Sequence, residues 1–216
     1  MSLENDAKRF RENLLRWVDK NERSFLWREP DASFYEVFMS EMFLRRTRSD
    51  VVESFIPEFL NQYPDVPALR EADLEELAEV IRPMGLQNKR ASGLIDLAEE
   101  LEGDSLPTEL DTLLQLPQVG PYVANATLCF ALDEQRPIID RNIDRIYGRI
   151  FGEDWTKMTE DEQWEFASLI LPDGRARSYN LALLDFGAAI CTAPKPQCPE
   201  CFAMEYCNYY AEFIEE

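Results

Sequence analysis

Three groups of residues in this chain are spaced for chemistry. Cys191, Cys198, Cys201 and Cys207 follow the pattern C-x6-C-x2-C-x5-C. Four thiols in so short a stretch make either a metal centre or two disulfides, and the chain has no histidine to share ligation. Zinc accepts four sulfurs, and a reducing compartment disfavours disulfides. Glu41 is the second feature. Phe34, Val37, Phe38, Met42 and Arg45 trace one helical face by three- and four-residue steps, and Glu41 lies on it. Desolvation there is expected to raise its pKa and keep it protonated near neutrality, unless it simply pairs with Arg45 or Arg46. The third is Asp140, in Ile138-Ile139-Asp140-Arg141-Asn142, where a helix should begin. It can serve as a plain N-cap or as a carboxylate presented to a substrate.

The elements that must hold these groups read as helices throughout. Leu116-Pro117-Gln118-Val119-Gly120-Pro121-Tyr122 breaks an apolar pattern with a tight turn, and small and apolar residues at helical spacing resume over 122–131. This predicts helix, hairpin, helix, and the N-terminus of the second helix offers backbone N–H groups to a phosphate. Phe10, Leu14, Trp17 and Val18 form the stripe of an N-terminal helix, and Asp31 or Ser33 can cap a helix over 34–47. Amphipathic scaffold helices follow over 51–63, 74–81 and 86–101, divided by Pro64, Pro67 and Pro83. Further helices are expected over 160–171 and 178–190. Arg141, Arg145 and Arg149 share a face by four-residue steps, either a solvated stripe pairing with acids such as Asp144 or a phosphate-facing one. Cys129, on the apolar helix after the hairpin, is read as a core residue. The fold class expected is all-α.

Composition places limits on the partners. The chain has 216 residues, 45% of them hydrophobic, enough for one or two cores. Met1 to Lys20 is charged rather than built like a signal peptide, and no apolar run is long enough to span a membrane, so a cytoplasmic protein is expected. The net charge is −20 and the pI about 4.4, which argues at face value against nucleic acid. Lysine occurs only at Lys8, Lys20, Lys89, Lys157 and Lys195, while acids cluster, as in Glu160-Asp161-Glu162. Such a surface suits concentrated salt, where repulsion is screened within about 3 Å at 1 M. A halophilic source is therefore expected.

Leu-Pro-x-Val-Gly followed some twenty residues later by Asp140 resembles the helix-hairpin-helix, Gly/Pro-rich, aspartate superfamily of DNA base-excision glycosylases. Ser40-Glu41-Met42-Phe43-Leu44-Arg45-Arg46-Thr47 resembles the glutamate-bearing segment of its adenine and thymine mismatch members, and Gly85-Leu86-Gln87-Asn88-Lys89-Arg90-Ala91 a conserved-type helix start of the family. The cysteine spacing is similar to the [4Fe–4S] loop of the endonuclease III branch. The resemblance implies an endonuclease III-like fold of two domains. One is a six-helix barrel domain over 29–136 that contains the hairpin; the other is a discontinuous domain over 1–28 and 137–216 that holds the cluster. It implies catalytic roles for Glu41, Asp140 and Tyr122. It implies DNA contacts from Gln118, Val119, Gly120, Tyr122, Arg45, Arg46 and Lys195, and a [4Fe–4S] cluster on Cys191, Cys198, Cys201 and Cys207.

Two departures from the pattern bear on activity. Bifunctional members carry a Schiff-base lysine where this chain has Tyr122, so a monofunctional glycosylase with little or no lyase activity is expected. Gln118 replaces a usual glycine, which strains or reshapes the hairpin if that position needs φ > 0. The substrate expected is double-stranded DNA with T or U opposite G, bound by a monomer at the nucleoid. Two features favour this over the alternative, adenine opposite G or 8-oxoguanine. Leu44-Arg45-Arg46-Thr47 is of the thymine type, and the chain ends at Glu216 without the further domain of adenine glycosylases. A non-catalytic iron–sulfur DNA-binding protein is the remaining alternative.

Overall fold

A computed structural model describes residues 3–213; residues 1, 2 and 214–216, the ends of the expected discontinuous domain, lie outside the described residues. Helices account for all the regular structure among them. Contacts divide the chain into two compact units, Met1–Arg23 with Asp133–Glu216, and Ser24–Leu132. No helix among the described residues is long and apolar enough to cross a membrane.

The continuous unit contains α2 (Phe34–Leu44), α3 (Ser49–Gln62), α4 (Val66–Arg70), α5 (Leu74–Val80), α6 (Gln87–Glu100), α7 (Leu110–Leu113) and α8 (Pro121–Leu132); α1 (Leu3–Val18) belongs to the other. Ser33 starts α2 through a capping box: its hydroxyl accepts from the Glu36 N–H at 3.2 Å, and its own N–H donates to the Glu36 carboxylate at 2.6 Å. The helix stops at Leu44 rather than running to Thr47, because Arg46 sits in the left-handed region at φ 60°. α2 is not one-sided: Val37 through Phe43 are all buried, Ser40 and Glu41 included. α8 is buried in the same way from Val123 through Phe130, and α2 and α8 pack together at the centre of this unit. Phe43, Phe55 and Phe59 extend the core by edge-on contacts.

In the discontinuous unit, α1 packs on α9 (Arg141–Phe151) and α12 (Ala176–Ala189), with α10 (Glu153–Thr156), α11 (Glu160–Ile170) and α13 (Asn208–Phe213) completing it. Phe10, fully buried on the predicted stripe of α1, meets Tyr147, Phe151, Phe186 and Phe202. Arg23, where the first segment ends, donates from its backbone and its Nε to buried Asp185 of α12 at 3.0 and 2.7 Å, tying the two segments.

Candidate active site and cysteine loop

In the continuous unit, Glu41 and Tyr122 are brought together. The Tyr122 hydroxyl donates to Oε2 of Glu41 at 2.9 Å, and Glu41 is 1% exposed. The geometry follows from the two central helices. Tyr122 occupies the first turn of α8, directly after the hairpin, and α8 lies against α2 where Glu41 sits in the third turn. Arg45, one of two arginines considered as partners for Glu41, is used elsewhere: Nε donates to the Met42 carbonyl at 3.2 Å and Nη1 to the Gln118 carbonyl.

The hairpin is a tight turn closed by the Val119 N–H on the Leu116 carbonyl at 3.2 Å. Gln118 holds φ 64°, so the glycine-like conformation is kept with a side chain in place. That side chain enters a notch on α6: a Cβ built on Gly93 would lie 1.8 Å from the Gln118 Nε2. Val119 is buried, while no atom lies within 4 Å of where a Cβ on Gly120 would be, leaving that backbone open to a close ligand.

In the discontinuous unit, Asp140 is the N-cap of α9. Oδ1 accepts from the N–H groups of Asn142 and Ile143, both at 2.8 Å, and Oδ2 from Asn142 Nδ2 at 2.7 Å. The amide oxygen of Asn142 in turn accepts from Arg145 Nη1 at 2.9 Å. Asn142 was not singled out from sequence; its position two residues after a capping aspartate was the available signal.

Arg145 and Arg149 are neither a solvated stripe nor a phosphate-facing one. Arg145 donates to the carbonyls of Cys191 and Gly187 at 2.9 and 3.1 Å. Arg149 donates to the carbonyls of Thr192 and Ala193 at 2.7 and 2.8 Å, lies 3.4 Å from the Cys191 sulfur, and stacks over Tyr209. Asp144, the expected acid partner of that stripe, accepts instead from the indole of Trp155 at 2.9 Å. The two arginines thus clamp the loop that begins the cysteine motif. Lys195 is exposed on this loop, its carbonyl accepting from the Thr192 hydroxyl at 2.6 Å.

Cys191, Cys198, Cys201 and Cys207 line one cleft, walled by Ile150, Phe186 and Ile190. The thiols ring this space; among the described residues no three Cys, Asp or Glu side chains converge on a single point suited to one ion. Burial, then neighbouring sulfurs, raise the thiol pKa values of Cys198 and Cys207, and burial pushes Cys201 up to about 12. Buried and half-buried thiols gathered in this way are stabilised as thiolates by a compact cationic centre, and an all-sulfur donor set around a cleft fits an iron–sulfur cluster. Cys129 is buried in α8 of the continuous unit, as expected for a core residue.

A hairpin beside a buried glutamate, a capping aspartate and an all-helical frame define a helix-hairpin-helix base-excision protein. The profile of the HhH-GPD superfamily of base excision DNA repair proteins matches residues 39–170, and the chain belongs to that superfamily. It is 34% identical over 209 residues to a thymine-DNA glycosylase of Aeropyrum pernix, covering 93% of each chain. An adenine DNA glycosylase of Mycolicibacterium smegmatis is 33% identical over 204 residues, which cover 91% of this chain and 68% of that protein. Among solved structures, a thermostable thymine-DNA glycosylase superposes with a TM-score of 0.89 at 30% identity over 96% of this chain and 98% of its own. A non-covalent endonuclease III–DNA complex matches with a TM-score of 0.88 at 19% identity over 100% of both chains, and the fold is endonuclease III-like.

Proposed function

We propose that this protein is a monofunctional DNA glycosylase that removes thymine or uracil opposite guanine, acting as a monomer on duplex DNA in the cytoplasm. The observation that carries the reading is the buried Glu41 carboxylate holding the Tyr122 hydroxyl at the hairpin exit, in a chain similar throughout its length to thymine-DNA glycosylases. The target base leaves the stack for a pocket at a cost of a few kcal/mol, smaller for a mispair. The C1′–N bond then breaks with its electron pair leaving on the base, and positive charge develops on the sugar. Asp140 stabilises that charge, its carboxylate oriented by two backbone N–H groups and Asn142. Glu41 delivers a proton to the departing base or takes one from the water that adds at C1′. Tyr122 orients Glu41 and, being a tyrosine, offers no amine for a Schiff base, which supports hydrolysis without strand cleavage.

The four cysteines would hold a [4Fe–4S] cluster, which when bound cross-links the C-terminal loop. Arg145 and Arg149 keep the first part of this loop in place, and Lys195 at its exposed turn reaches the DNA backbone.

Single-turnover reactions in molar potassium chloride on T·G, U·G, A·G and A·8-oxoguanine duplexes, read with and without alkali, test this. Release confined to T·G and U·G, with strand breaks only after alkali, is expected. The 33% identical adenine glycosylase favours the second reading, which adenine release would establish. DNA bound without any product would leave a non-catalytic protein.

A further inference from the structure

Beside the cysteines, their cleft is lined by Ile150, Phe186, Ile190, Pro196 and Tyr209, all uncharged, and by Arg149. Arg149 is half-buried in the last turn of α9. Its guanidinium is fixed by the carbonyls of Thr192 and Ala193 at 2.7 and 2.8 Å and by the Tyr209 ring, whose centroid is 4.8 Å away. Held in that way, Nη1 also donates to the Cys191 sulfur at 3.4 Å. Backbone N–H groups, such as that of Ala203 on the Cys201 sulfur at 3.4 Å, meet the thiols too but carry no charge. Among the described residues no acid stands within salt-bridge distance of Arg149, so its charge is not cancelled.

A lone cation in an otherwise uncharged wall acts strongly, because little else there screens it. Net charge and hydrogen bonds to the ligating sulfurs are among the quantities that set the potential of an iron–sulfur centre. Each added electron increases the negative charge that the sulfurs share, and a donor on one of them favours that state. We propose that Arg149 raises the reduction potential of the cluster this loop would hold, through its N–H on the Cys191 sulfur and its uncancelled charge. The couple takes up one electron from a one-electron reductant, with no bond made or broken. Arg149 is thereby distinguished from Arg145, which holds the loop through the Cys191 and Gly187 carbonyls. The inference rests on the iron–sulfur reading of the four cysteines.

The test is a spectroelectrochemical titration of the cluster-loaded, full-length protein with one-electron mediators, which requires no DNA and no excision. Arg149→Gln is expected to lower the ratio of reduced to oxidised cluster at a fixed applied potential by tenfold, a shift of about 59 mV for one electron. Arg149→Lys keeps the charge but not the planar fork and should fall between that variant and wild type. Arg145→Gln, which loses loop carbonyls but no sulfur contact, should keep the wild-type potential. An unchanged potential in Arg149→Gln, or an equal shift in Arg145→Gln, overturns the inference while leaving the cluster reading intact. If Arg149→Gln retains no cluster, an unchanged potential in Arg149→Lys overturns it. Wild-type protein that takes up no iron and labile sulfide on reconstitution would instead sink the iron–sulfur reading, and the inference with it.

Discussion

The hydroxyl of Tyr122 stands 2.9 Å from Oε2 of Glu41, across the contact between the two most deeply buried helices of the hairpin unit. A hydroxyl donor on a carboxyl group at 1% exposure holds its rotamer. Glu41→Gln should lower single-turnover excision by about 10²–10⁴-fold, the range for losing a positioned acid or base. Tyr122→Phe removes the brace, a hydrogen bond of about 0.5–1.5 kcal/mol, and should cost about 2–10-fold. Equal, wild-type rates in both would remove the pair from the mechanism.

Asp140 has two duties that can be separated. Asn is as good a cap as Asp, so Asp140→Asn should keep the helix start while losing the negative charge, leaving stability close to wild type and excision strongly reduced. Asp140→Ala should lose both, with about 1 kcal/mol of stability gone. Urea melts alongside single-turnover rates distinguish the cases; equal stability loss in both variants would show that the charge itself serves the fold.

Tyr147 and Tyr179 share a fully buried hydroxyl pair at 3.2 Å. Burial raises both phenol pKa values far above the ordinary range, and Tyr147 raises Tyr179 further. In the unfolded chain both ionise near pH 10, so between that value and the folded pKa the native state holds more protons than the unfolded one. Stability is therefore full below about pH 10 and falls as pH rises beyond it. Phenolate absorbance from these two residues should appear together with loss of far-ultraviolet ellipticity; ionisation preceding unfolding would contradict their burial.

Arg149 holds the Thr192 and Ala193 carbonyls and touches the Cys191 sulfur. Arg149→Gln should leave the hairpin unit folded but reduce iron and labile sulfide per chain after purification, and Arg149→Lys should recover only part, because one ammonium cannot reproduce a planar fork. Metal content equal to wild type in both variants would show that the loop holds its shape unaided.

Much of this could be read from residue order, and the misses share a cause. Helix existence followed from apolar spacing, and Ser33 and Asp140 act as caps as their types suggest. Glu41 was found by a face argument that the structure replaces, because α2 is buried all round and has no polar side for contrast. The spacing of Arg141, Arg145 and Arg149 was legible, but the carbonyls that take Arg145 and Arg149 come from a loop some forty residues later, and backbone acceptors leave no mark in side-chain sequence.

The fit of Gln118 over Gly93 couples two positions far apart in the chain. A side chain added at position 93 would meet the amide end of Gln118, which must then swing out of the notch. In a library randomised at both sites, a large residue at 93 should therefore favour a small one at 118, and the reverse. The hairpin's unusual residue is thus chosen together with a position on α6.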